Sequence, residues 1–161
     1  MDVVISSITS FFTDFFGNYM LVSAMIAWFA AQVIKIFTHL FQTRKLNLRN
    51  MLFSTGGMPS SHSATVLALA VSSGLKYGFD SAVFAICAIL AMVVMIDATG
   101  VRYETGKQAI LLNKITKKIF SGDAEQMNAG LKELVGHTPL QVIMGALLGI
   151  VVASVMAFFM L

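Results

Sequence analysis

The sequence predicts an all-α fold, an integral membrane bundle of about four transmembrane helices with an N-terminal and a connecting amphipathic helix. Three observations lead there. Of 161 residues, 57% are hydrophobic and 12% charged, about half the charge of an ordinary soluble domain, and the mean hydropathy is +0.81. Four apolar segments recur along the chain with polar strings between them. The cations are also unevenly placed: Lys35, Arg44, Lys45, Arg49, Arg102, Lys107, Lys114, Lys117, Lys118 and Lys132 fall in or beside the connections 35–58 and 97–138, and only Lys76 lies at the opposite end. The length fits one domain, 1–161. The single cysteine, Cys87, excludes a disulfide framework within the chain.

Taken in order, 3–16 carries Phe11, Phe12, Phe15 and Phe16 on a helical repeat beside Ser, Thr and Asp14, and no basic stretch precedes it. That pattern predicts an interfacial amphipathic helix rather than a signal peptide. The first apolar segment, 19–41, is interrupted by Gln32, Lys35 and His39, and 79–96 is bordered by Asp80 and Asp97. Both approach or exceed the roughly 20 residues that an upright crossing needs, as does 139–161. The segment 63–75 is short; it either crosses or dips in and returns. Between the third and fourth segments, 102–120 alternates apolar residues with Lys114, Lys117 and Lys118, the pattern of a helix lying on anionic headgroups. The break at 121–124 precedes a short helix at 124–134. If all four segments cross, both basic connections share one side, and the positive-inside tendency makes that side cytoplasmic.

Two polar strings stand out from this background. In GGMPSSHSA, 56–64, Pro59 is read as the first helical residue, since proline needs no amide partner there. The open N–H groups of that turn, with the Ser60 and Ser61 hydroxyls, suit an anion, and Gly56 and Gly57 allow close backbone approach. GHTP, 136–139, repeats the design: Thr138 as N-cap, Pro139 as first helical residue, His137 beside them. Two histidines at two positive helix ends describe a place where a phosphate is held and attacked. One imidazole bonds phosphorus while the other protonates the leaving oxygen.

PSSH at 59–62 and GHTPLQVIMGALLG at 136–149 resemble the second and third signature motifs of the type 2 phosphatidic acid phosphatase superfamily, which includes the vanadium haloperoxidases. Together with DATGVRYETGKQA at 97–109 they are similar to its divergent bacterial branch over 24–149. The resemblance implies a bacterial plasma-membrane phosphatase acting on a lipid phosphate or pyrophosphate, with no metal or other cofactor. It makes His137 the nucleophile, His62 the general acid, Gly57, Pro59, Ser60 and Ser61 phosphate ligands, and Lys35 the counterpart of the first-motif lysine.

The chain departs from the main pattern where Leu131 replaces the third-motif arginine and Gln141 the aspartate that orients the nucleophile. The first motif's Arg-Pro is absent as well. Arg102 and Lys107 are the expected replacement cations, with Lys132 as an alternative, and Asp97 is the expected carboxylate for orienting a histidine, a role that Gln141 could fill only without charge. The departures keep a second class open: a lipid-phosphate or anion-binding protein, or a transport subunit, without turnover. Membrane lipids are expected partners, a homo-oligomer is compatible with either class, and no nucleic-acid partner is expected.

Overall fold

The computed structural model of the chain describes residues 2–43, 57–119 and 136–161, and every regular element among them is an α-helix. In chain order they are α1 (Asp2–Gly17), α2 (Tyr19–Thr43), α3 (Ser61–Tyr77), α4 (Ala82–Thr99), α5 (Val101–Ile119) and α6 (Pro139–Met160). Three stretches are long and apolar enough to cross a bilayer: Tyr19–Phe41, Ala82–Thr116 and Pro139–Met160. The chain is an all-α membrane protein. Arg44, Lys45, Arg49, Gly56, Leu131, Lys132, the break at 121–124 and the short helix expected at 124–134 lie outside the described residues.

α3 has 17 residues and so rises only about 25 Å, short of a 30 Å hydrocarbon core. It is instead enclosed by the other helices. It packs against α2, α4 and α6, and Ser61, Ser63, Ala64, Ala68, Ala70, Ser72, Ser73 and Gly74 are all buried along it. Protein, not lipid, is its solvent. Buried serines are therefore tolerable, because Ser72 and Ser73 return their hydroxyls to the carbonyls of Leu69 and Ala70 at 3.0 and 2.7 Å.

The contact between α3 and α6 is the tightest in the bundle's interior. A Cβ added to Gly145 would lie 2.3 Å from the Ser60 carbonyl oxygen, and one added to Gly149 would lie 2.4 Å from that of Ala64. Spaced four apart, the glycines share one face of α6, which Ala153 continues, and Ala64 and Ala68 face it from α3. Within a bilayer, moving apolar surface from lipid to protein gains little, so close packing of small residues supplies the association energy. Since 145 meets 60 and 149 meets 64 and 68, the two helices run parallel.

α2 runs the other way. The Tyr19 hydroxyl donates to the Ala153 carbonyl at 2.7 Å near the end of α6, while Thr38 donates to the Met58 carbonyl at 3.0 Å just before α3. α4 also returns antiparallel to α3, after a turn in which Gly78 holds φ +92. It starts at Ala82, three residues beyond the expected 79, because Ser81 is an N-cap whose hydroxyl accepts the Phe84 N–H at 3.2 Å. It continues to Thr99, which places Asp97 inside its last turn. α1 touches the rest through α2 and keeps Phe11, Phe12 and Phe16 exposed, an apolar face outside the bundle.

A valine at 149 would meet the Ala64 carbonyl and the Ala68 amide, neither of which can swing aside. Gly149→Val is expected to cost the detergent-solubilised protein about 1–3 kcal/mol, read as a lowered thermal unfolding midpoint. Gly17→Val, where nothing lies within 4 Å of the added carbon, is the control and stays within about 0.5 kcal/mol. Equal midpoints for the two variants would contradict the close approach.

Candidate functional site

The first polar string ends in a serine cap. Ser60 has extended backbone, and its hydroxyl accepts the Ser63 amide at 3.4 Å and the Ser63 hydroxyl at 3.0 Å. α3 consequently begins at Ser61, not at Pro59, because Ser60 supplies the side-chain acceptor a cap needs, whereas Met58, which would cap a helix starting at Pro59, has none. Pro59 stands before the cap, joined to Met58 by a cis peptide bond. The Ser60 amide donates to the Gln141 carbonyl at 2.9 Å, tying the start of α3 to the first turn of α6. Ser60 is fully buried and Ser61 is 3% exposed. Neither these serines nor Pro59, Gly57 or Lys35 line the cavity described below; of the described residues in this string only His62 does. Gly57 has φ +102, a conformation that favours glycine, and the Lys35 stem packs against its open face, 3.2 Å from where a Cβ would stand. Lys35 is thereby buried beside the string.

The second string is held by one amide oxygen. Thr138 caps α6, Pro139 occupies its first turn, and a reciprocal capping box joins Thr138 to Gln141. The Thr138 N–H donates to Gln141 Oε1 at 3.1 Å, and the same oxygen lies 3.2 Å from His137 Nδ1. A backbone N–H needs an acceptor, which fixes the amide's orientation; Nδ1 must then carry its hydrogen, and Nε2 keeps its lone pair. The orienting partner of His137 is thus Gln141, not Asp97. His137 N donates to the Ala98 carbonyl at 3.2 Å and Gly136 N to that of Arg102 at 3.3 Å. These bonds satisfy carbonyls at the α4–α5 junction. A Cβ at 136 would stand 2.4 Å from the Tyr103 amide nitrogen, so glycine alone lets this loop lie on α5.

The strings meet across a cavity of about 460 Å³ lined by His62, Asp97, Arg102, Thr105, Gly136 and His137, with Val93, Val94 and Ala98 as its apolar wall. The His62 and His137 ring centroids are 6.5 Å apart with planes at 57°. Arg102 Nε donates to Asp97 Oδ2. Thr105, inside the 97–109 string but not among the expected site residues, lies one turn after Arg102 on the same face of α5; that i, i+3 spacing is the signal that could have found it. Lys107 is not at the cavity. It pairs with Glu104 at 2.9 Å and sits over the Tyr103 ring at 4.3 Å, because five residues beyond Arg102 the helix has turned its side chain away.

His137 is only 5% exposed. Burial holds its imidazole below the ordinary histidine value; the Gln141 hydrogen bond opposes that, while Lys35, His62 and Arg102 add to it. No cluster of three or more His, Cys, Asp or Glu side chains able to hold a metal occurs among the described residues.

Comparison with known proteins places this arrangement. The Divergent PAP2 family matches residues 16–152, a range that contains both strings and the whole α2–α5 frame. The Bacillus subtilis (strain 168) protein described as "Uncharacterized membrane protein YuiD" is 43% identical over 152 residues, covering 88% of this chain and 96% of that protein. No solved structure matches the chain. With its two histidine strings presented from neighbouring helix ends, the chain belongs to the Divergent PAP2 family.

Proposed function

We propose that the protein is a metal-independent membrane phosphatase that hydrolyses a lipid phosphate or pyrophosphate through a phosphohistidine. The observation that carries this reading is the pair of imidazoles 6.5 Å apart across one cavity. That separation leaves room for one phosphoryl group with a ring nitrogen near 3 Å on either side. His137 Nε2 attacks phosphorus, the bond to the leaving oxygen breaks, and His62 gives that oxygen a proton. Water then attacks the phosphohistidine, His62 takes its proton, the P–N bond breaks, and its electron pair returns to Nε2 as inorganic phosphate forms. Arg102 supplies positive charge for the phosphoryl oxygens, and Lys35, outside the cavity's lining, adds to the positive field there.

A lipid substrate is favoured by the setting, since the apolar wall formed by Val93, Val94 and Ala98 continues α4 into the bilayer segment. The uneven placement of Lys and Arg favours the cytoplasmic face of a bacterial plasma membrane. One observation favours a second reading, oxyanion binding without turnover: the partner of His137 is a neutral amide where the family's main pattern has a carboxylate.

His137→Ala is expected to abolish phosphate release from a lipid phosphate in the purified protein, together with any base-stable, acid-labile label after rapid quench with radiolabelled substrate. Label that persists in the variant rejects the nucleophile; wild-type protein that binds substrate without label or turnover selects the second reading. His62→Ala is expected to slow esters with basic leaving groups at least about 100-fold and activated aryl phosphates far less. Equal slowing of both would argue against proton donation.

The acid side of the pH profile follows from His137. Its folded value is lowered, so the neutral nucleophile persists below the ordinary 6.5 or so, and the acid limb of kcat/KM should lie beneath that pH. For stability the sign is the same: the unfolded chain binds the proton first, so this group's contribution is complete above about pH 6.5 and declines as pH falls. Gln141→Glu retains the capping box and brings a carboxylate to Nδ1, which should move the acid limb up by about one pH unit or more. An unmoved limb would show that residue 141 does not face the titrating group.

A further inference from the structure

We infer that Asp97 is a positioning residue for Arg102: it holds the guanidinium by Nε so that both terminal nitrogens are presented to an oxyanion between His62 and His137. This rests on the reading of the cavity as an oxyanion site. Asp97 lies in the last turn of α4 and Arg102 in the first turn of α5, on either side of Gly100, where the backbone leaves the helical path. The break turns Arg102 back toward the helix it follows. The Arg102 Nε to Asp97 Oδ2 bond engages one guanidinium nitrogen. No other partner of that group occurs among the described residues, and both side chains line the cavity. Held this way, Arg102 retains four N–H bonds in a planar fork, the shape that matches two phosphate oxygens.

Two other roles for Asp97 fit less well. His137 already has its Nδ1 partner in Gln141, so no donor on that ring awaits a carboxylate. A purely stabilising ion pair is equally unpersuasive, because the two side chains are 58% and 37% exposed and exposed pairs contribute little. What a tethered arginine gains is orientation, since less rotamer freedom is lost when the anion arrives.

A carboxylate beside an anion site also repels the anion, so the sign of its effect depends on Arg102. With Arg102 present, Asp97 helps by aiming the fork; with Arg102 absent, it only repels. Full-length protein in detergent, titrated with orthovanadate as a phosphate mimic, separates these effects. Asp97→Asn should weaken vanadate binding about 10-fold, the equivalent of about 1.4 kcal/mol. Arg102→Ala should weaken it at least as much. Adding Asp97→Asn to Arg102→Ala should tighten binding several-fold relative to Arg102→Ala alone. Asp97→Asn should leave the pH titration of His137 in place, whereas a carboxylate acting on that ring would lower its pKa when removed.

Binding by Asp97→Asn as tight as wild type or tighter, in protein with an unchanged unfolding midpoint, overturns the positioning role while leaving the oxyanion site standing. So does a weakening of equal size in both backgrounds. If the wild-type protein shows no saturable vanadate binding, the oxyanion reading falls and this assignment falls with it.

Discussion

The close parallel approach of α3 and α6 is the constraint from which the rest of the structure follows. Helix amides point toward the N-terminus, so two parallel helices in backbone contact bring two sets of open N–H groups and two positive dipole ends to the same place. His62 is the second residue of α3, and His137 immediately precedes the cap of α6. Their spacing is therefore set by how closely the helix axes approach. Gly145 and Gly149 set that approach, and the bond from Ser60 N to the Gln141 carbonyl fixes the register at the end where the rings stand. A side chain at either glycine would act at a distance, separating the imidazoles without touching them.

Such an arrangement gathers positive charge. Arg102 joins two helix ends around a cavity with an apolar wall, Lys35 lies buried nearby outside its lining, and in the absence of an anion these groups repel one another. The structure relieves this in three ways. His137 is buried and favours its neutral form. Arg102 is partnered by Asp97. The Lys35 stem packs against Gly57, whose φ of +102 favours glycine and where a Cβ would stand 3.2 Å from that stem. The last two leave the cation in place but restrict where its charge can point. For the proposed reaction this is preorganisation: the donors face the phosphoryl group before it arrives and need little rearrangement when charge develops.

Local signals made much of this legible in the sequence, and non-local geometry hid the remainder. α2 and α6 follow from long apolar runs, and the Thr138 cap with Pro139 behind it follows from four consecutive residues. At the other string two local rules compete, since both Pro59 and Ser60 are helix-start residues; the serine prevails because it offers an acceptor. Thr105 and Lys107 could have been distinguished by helical period alone, given Arg102. The exchange of roles between Asp97 and Gln141 could not. It depends on the backbone path at the α4–α5 break, which returns Arg102 to Asp97 five residues earlier, and on the loop at 136–137 docking on Ala98 and Arg102, far away in sequence. The small-residue stripe on α6 is visible as Gly145 and Gly149, but its partner on α3 is not, because alanine and serine recur at many spacings there.

The replacement of a carboxylate by Gln141 has a consequence for the balance of the two proposed half-reactions. When Nε2 bonds to phosphorus, the ring keeps its Nδ1 hydrogen and becomes cationic. A carboxylate would stabilise that cation strongly, whereas an amide oxygen already shared with the Thr138 N–H stabilises it less. Formation of the phosphohistidine is correspondingly harder, and its breakdown, which discharges the ring, correspondingly easier. Because the same oxygen completes the cap of α6, it cannot rotate away to change this balance without uncapping the helix. In the proposed reaction the chain thus gains a rigid, tautomer-defined nucleophile at the expense of intermediate stability, and the burden of the first step shifts to the Asp97-tethered Arg102 and the positive field of Lys35.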